Sequence, residues 1–308
     1  MHRLSGDEHN WMHLLLVPEQ RTALETVRQH KSVRQLGAIA RFEVSIVTGG
    51  NDFFSVDDSE LNAYDLAPWA RPLLPRIRHA PGLRYTTEDH EEMRRSGARA
   101  WLLDFSDDRP DPLRTERVAE YVRLGEARGL PARYKCRIRE PWYRVPHLQR
   151  GSLLLSKRSH HLPRVVVNEA HAFTTDTIYR GEVLQASISP ADLASTFHNS
   201  LTLLTAELEG RSFGGGVLEL VPSEIARLLV PVIPGADKNL LALDQLARVN
   251  AAGLVRASDD LVCRRGAIPT DLMRLLRAAW ASLVRRRLHR NEMSRAESPD
   301  DEQLSLAA

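Results

Sequence analysis

The chain has 308 residues, 43% of them hydrophobic, and a mean hydropathy of −0.33, enough apolar material for one large or two ordinary water-facing domains. A formal net charge of +2 excludes a generic polycation. No run of about 18 apolar residues could cross a bilayer, so no membrane is expected as a partner. The charged, histidine-containing start lacks the apolar stretch of a secretory signal. Cys136 and Cys263 make neither a metal-ligand spacing nor a disulfide framework, and a cytoplasmic setting is expected.

Charge is unevenly distributed. Residues 114–164 carry 13 Lys+Arg against 4 Asp+Glu, between acidic runs at 104–111 and 292–302. That asymmetry is the footprint left by a phosphate-binding surface.

Residues 1–30 hold an apolar patch at 11–17 and a polar helical pattern, and read as a lead-in or junction segment. Alternation from Leu36 to Val47 predicts one or two strands. They end at Thr48-Gly-Gly-Asn51, where a tight turn would leave Thr48 and Asn51 at a tip with free hydrogen-bonding groups. An ordinary hairpin turn is the commoner meaning of such a motif. Four prolines and four arginines in 68–86 predict an irregular basic connection. Thr87 starts a short helix with acidic residues in its first turn, 99–105 is a strand, and 112–129 is a helix turning Val118, Tyr121 and Val122 inward.

The stretch 133–146 alternates like a strand and stops at Pro146. Period two would put Arg133, Lys135, Arg137 and Arg139 on one face, with Tyr134, Trp142 and Tyr143 beside them. An extended cationic ribbon with planar side chains suits a nucleic-acid backbone and its bases. A solvated edge strand, kept basic against aggregation, is the alternative, as is pairing of these cations with the acids of 104–126.

Strands are expected at 164–168 and after the polar turn Thr174-Thr-Asp176. Ser189-Pro190 opens the clearest helix, with Leu193, Phe197, Leu201, Leu204 and Leu208 on a single apolar face and Gly210 as its end. Arg211-Ser-Phe-Gly-Gly-Gly216 is either a flexible loop or a backbone able to approach a phosphate closely. A short helix covers 223–230, and longer ones 239–250 and 270–290. The 285–290 arginine cluster reads as a solvated helix end, and 291–308 as a disordered tail.

Several chemistries are missing. No glycine-rich dinucleotide loop follows a strand, no P-loop ending follows Gly216, and no Gly-x-Ser-x-Gly elbow occurs. His160, His161 and His171 lack a metal-ligand pattern. Glu140-Pro-Trp-Tyr143 differs from the Asn/Asp-Pro-Pro-Tyr motif of amino-methyltransferases in its acid and by one proline. No catalytic, cofactor-binding or metal residue is assigned.

In order, Leu36-Gly-Ala-Ile-Ala40, Ile46-Val-Thr-Gly-Gly-Asn-Asp-Phe-Phe54, 133–146, Pro163–Asn168, Thr174–Tyr179 and 197–223 form a series. Over roughly residues 10–235 it resembles the C-terminal, target-recognising half of adenine-N6-specific DNA methyltransferases of bacterial restriction–modification systems. The expected fold is α+β: a mixed, twisted β-sheet recognition domain with packed helices over 31–235, and a small helical region over 236–290. The resemblance implies double-stranded DNA as partner. Lys135, Arg137 and Arg139 would meet phosphates or guanine edges, and Trp142 and Tyr143 would stack, wedge or support. Thr48 and Asn51 would approach the duplex, as would Arg211, Ser212, Gly214 and Gly215.

Complete members carry an S-adenosylmethionine fold and an Asn-Pro-Pro-Tyr/Phe motif first. This chain has neither and starts near the family's junction between halves, as a split gene or a truncated frame would leave it. No cofactor is therefore expected in the chain itself. A separate catalytic subunit that binds S-adenosylmethionine and receives the flipped adenine is implied. The rival readings are a methyltransferase active alone through an unrecognised cofactor site, and a non-catalytic remnant or protein-interaction subunit docking through 239–290.

Overall fold

Leu193, Phe197, Leu201, Leu204 and Leu208 lie at the centre of the protein in the computed structural model, which describes residues 11–146 and 148–296. They do not belong to one helix. Pro190–Phe197 and Ser200–Glu209 are separate, each with its own cap. Ser189 Oγ accepts from the Asp192 N–H at 3.0 Å, and Asn199 Oδ1 accepts from the Leu201 N–H at 2.9 Å. The amide of Asn199 offers the backbone a local partner in place of the helical ladder, which ends one helix and starts the next. Nor is the apolar face single: every residue from Ser200 to Leu208 is buried, because the Thr270–Ala296 helix covers the side that periodicity assigned to water.

Against these helices lies a five-stranded sheet in the order Ala40–Val44, Ile178–Val183, Leu153–Ser156, Val165–Asn168, Arg84–Tyr85. All pairs are antiparallel except the last. Tyr179 stands between Val44 and Leu155 in the ladder. The first and third strands therefore run the same way, and their C-terminal ends leave the sheet at one end.

A smaller four-stranded sheet follows the order Phe173–Thr174, Ala70–Leu74, Trp101–Leu103, Ser55–Val56. The Ala70–Leu74 strand falls in the stretch expected to be irregular. Its proline is accommodated because the strand is short and Phe173–Thr174 pairs only with Leu73 and Leu74, past Pro72. The Glu116–Ala127 helix turns Val118, Tyr121 and Val122 inward onto a second core built around Phe53, Phe54, Trp69 and Phe105. The helix expected over 223–230 is shorter, Pro222–Arg227, and the chain then pairs as Leu229–Pro231 with Val33–Gln35.

The helices after residue 236 are Leu240–Val249, Ala251–Arg264 and Thr270–Ala296; the middle one has no counterpart in the expectations. Leu254, Leu276 and Leu283 share one core with Leu201 and Leu204, so packing does not break at 235/236. Asp259 links these layers. It accepts from the Ser200 N–H at 2.7 Å, the Ser200 hydroxyl at 2.7 Å and Arg277 Nε at 2.8 Å. The 285–290 cluster is not simply a solvated end, because Arg287 is buried. Residues 291–296 continue the helix rather than a tail; 297–308 lie outside the described residues. The architecture is α+β.

Candidate nucleic-acid interface

The 133–139 stretch is helical, not extended. Gly129 turns the chain at φ 72°, Leu130–Ala132 makes a tight helical turn and Tyr134–Arg137 a short α-helix. The Arg137 N–H donates to the Arg133 carbonyl at 2.8 Å. Leu130 and Cys136 are the buried anchors, and a helix that seats both cannot also line four cations along one face. Burial lifts the Cys136 thiol above its ordinary range, as befits a packing group.

The cations divide into two kinds. Arg139 is half-buried and donates through Nη1 to the Thr48 carbonyl at 2.7 Å and through Nη2 to the Val47 carbonyl at 2.8 Å. Burial lowers its pKa. Arg133, Lys135 and Arg137 are exposed, and among the described residues none of them forms an ion pair. The acidic run at 104–111 is met instead by Arg71 and Arg109 at Asp104, by Arg114 at Asp111 and by Arg144, which reaches Asp107 at 2.6 Å.

Thr48 and Asn51 pack beside this helix. Thr48 is buried, not free at a tip, and its Oγ1 donates to Asn51 Oδ1 at 2.5 Å while accepting from the Gly50 N–H at 3.1 Å. Gly49 has φ 83°, and a Cβ there would stand 2.8 Å from the Lys135 Cβ. Only glycine allows that approach, which fixes the turn to the helix. Asn51 remains exposed.

Trp142 and Tyr143 support the second core. Trp142 packs on Phe53 with ring centroids 5.2 Å apart, and the buried Tyr143 on Phe105 at 5.7 Å. Neither stands out as a base-stacking platform. The exposed aromatic is Tyr134, 64% accessible, with Lys135 Nζ 5.4 Å from its ring centroid. One turn on, Ile138 is also 64% accessible. It lines a cavity of about 380 Å³ with Lys135, Arg139, Arg180 and the 44–47 backbone segment. Alternation hid this pair; spacing i, i+4 on a helix would have found it.

Arg211, Ser212, Gly214 and Gly215 occupy a different place. Arg211–Phe213, which is exposed, and Val217–Glu219, which is largely buried, form a hairpin joined by the three glycines, with Gly215 at φ 78° and Gly216 at φ 67°. Arg158–Ser159 adds a third strand. Arg211 is paired with Glu224 at 2.8 Å, and Arg158 with Glu219. The hairpin's partner Arg158–Ser159 belongs to the segment that leaves the central sheet after Leu153–Ser156, while the 45–51 segment follows Ala40–Val44. The two clusters are separate but leave the same end of the central sheet, one strand apart.

Among the described residues no three His, Cys, Asp or Glu side chains are placed to hold a metal, and no helix is long and apolar enough to cross a membrane.

Comparison with curated proteins finds no match. Among solved structures, the type IIG restriction endonuclease BpuSI superposes with a TM-score of 0.59 at 14% identity over 91% of this chain, a likeness of fold. The chain spans 34% of that enzyme's length. Residues 8–263 match the family described as Type II methyltransferase M.Eco57I, C-terminal domain. Because that match covers most of its length, the protein belongs to this restriction–modification family of methyltransferase C-terminal domains.

Proposed function

We propose that the chain reads double-stranded DNA as the target-recognition part of an adenine-N6 methyltransferase whose catalytic, cofactor-binding part is separate. One observation carries this reading: Arg133, Lys135 and Arg137, exposed and without ion pairs among the described residues, flank the exposed Tyr134 and Ile138 on a segment seated by Cys136 and by residues 48–51. Three free cations supply phosphate contacts. An exposed ring and an aliphatic group beside them can meet base edges or a thymine methyl.

The cavity beside this helix does not fit S-adenosylmethionine. That molecule is net positive, its sulfonium and ammonium groups outweighing its one carboxylate, whereas the lining has Lys135, Arg139 and Arg180 and no carboxylate. Glu140-Pro-Trp-Tyr143 contributes its rings to packing, which supports the reading that methyl transfer belongs to the other part.

The test is fluorescence anisotropy with labelled duplex DNA and the full chain, alone and with a catalytic partner, over a salt series. Binding at ~50 mM salt is expected, with log affinity falling by about 0.9 per phosphate contact against log salt. Folded protein that fails to bind at that salt in both conditions overturns the reading.

A further inference from the structure

A second cavity, of about 580 Å³, opens between the 156–164 hairpin, the turn at Ile77–Arg78 and the helices at Ala247–Leu254. Its volume lies in the range of small-ligand sites. Leu162, Val217 and Leu254 form an apolar floor. Around it stand Arg78, Arg158, Arg164, His160 and His161, and no aspartate or glutamate lines the cavity.

The arginines are not equivalent. Arg158 is matched by Glu219. Arg78 is exposed and has no partner among the described residues. Arg164 is half-buried and has no carboxylate; its Nη atoms donate to the carbonyls of Ile77 at 2.8 Å, Ala80 at 2.7 Å and Gly82 at 3.2 Å. Carbonyl dipoles take up the Nη1 hydrogens and one on Nη2 but do not neutralise its charge. A cation drawn part-way out of water without a counter-ion favours an anion nearby. The rim is also held in place, since Arg287 Nη1 donates to the His160 carbonyl at 2.8 Å.

We propose that this cavity binds a nucleotide, its phosphate on Arg78 and Arg164 and its base on the floor of Leu162, Val217 and Leu254. An anionic group attached to a flat, weakly polar ring matches both halves of the lining. The nucleotide can come from solution or, because the hairpin leaves the same end of the sheet as the segment that seats the basic helix, from DNA as an unstacked residue. Only that second source rests on the DNA-recognition reading.

The experiment uses the full chain and three probes: dAMP by titration calorimetry, a paired duplex by anisotropy, and the same duplex with one bulged 2-aminopurine read by fluorescence. Two exposed positions give the variants, Arg78→Ala to remove charge and Ala251→Trp to fill the space. The proposal expects binding of dAMP or preferential binding of the bulged duplex, weakened at least tenfold by either variant, with paired-duplex affinity changed by less than twofold. Binding of dAMP alone assigns the free nucleotide as ligand and leaves the proposal standing even if the paired duplex does not bind. No dAMP binding at millimolar concentration together with equal affinity for bulged and paired duplexes overturns it, while the DNA-recognition reading survives. Binding that both variants leave unchanged also overturns it.

Discussion

Arg287 and Glu207, 80 positions apart, form a two-pronged ion pair in the core: Nη2 meets Oε1 at 2.8 Å and Nε meets Oε2 at 2.9 Å, with both side chains 3% exposed. The remaining Nη1 donates to the carbonyls of His160 and Gly216. One guanidinium thus ties the last long helix to the central helix and to both turns of the small hairpin sheet.

Removing one partner leaves the other charged and buried, which costs about 3–5 kcal/mol. Arg287→Met is expected to lose that much in urea unfolding, and the double variant Arg287→Met/Glu207→Leu to regain most of it. The double variant still lacks the donor to Gly216. Hydrogen exchange in 211–217 should therefore stay faster than in the parent even where global stability returns.

The basic helix separates binding from folding. Lys135→Ala and Arg137→Ala should each flatten the salt dependence of DNA binding by about 0.9 in log–log slope without moving the unfolding midpoint. Arg139→Ala should instead destabilise by about 1.5–3 kcal/mol, because a charged donor to two carbonyls is lost. Equal effects of all three on the salt slope would contradict the division drawn between them.

A pair of tyrosines makes the same distinction among aromatics. Tyr134→Ala is expected to weaken DNA binding severalfold at unchanged stability. Tyr143→Ala should cost about 3–5 kcal/mol of stability, the usual range for truncating a buried ring, since it empties a space against Phe105. Anisotropy and denaturant titration on both variants check the assignment.

Acid should loosen the fold through histidines before it reaches most carboxylates. His198 is fully buried; its Nδ1 donates to the Ala194 carbonyl at 3.1 Å, and Nε2 accepts from the Val165 N–H at 3.3 Å. Burial pushes its pKa down to about 3, from 6.5. Between those values the unfolded chain holds the extra proton, so stability falls as pH falls, by at most about 1.4 kcal/mol per unit. His79 and His90 are shifted the same way by burial. Asp89 and Asp192 are held below 3.8 and act lower, whereas burial raises Asp259 and opposes the trend. His198→Gln, which keeps a donor and an acceptor, should show a shallower decline between pH 6 and 4 than the parent.

Signals that act over a few residues could be read from the chain. Ser189-Pro190 opens a helix where expected, another starts at Thr87 as expected, and the apolar run Val165–Val167 is a strand. What could not be read depends on partners far along the chain. Alternating cations at 133–139 imitate a strand because a one-turn helix is too short to display its own period, and the burial of Cys136 that decides the matter comes from contact with the 48–51 segment. Trp142 and Tyr143 are drawn inward by Phe53 and Phe105, which are distant in sequence. Arg287 sits in an arginine run whose other members gave no hint of a buried glutamate. Thr48 lies beside the expected glycine turn, but Asn51 opens the Asn51–Phe54 helix instead of ending a hairpin, and which of them faces water depended on the seat that the basic helix provides.

Tyr179 fixes where both surface clusters begin, since the strands on either side of it end level with one another. The 45–51 turn and the 157–163 hairpin are thus mounted like two jaws on one frame. Exposed residues on them, such as Asn51 and His161, can be exchanged without altering the ladder behind them, whereas Thr48 and Gly49 are held by packing. On the DNA-recognition reading, changes of target accumulate at such exposed positions while the helices that stabilise the chain stay as they are.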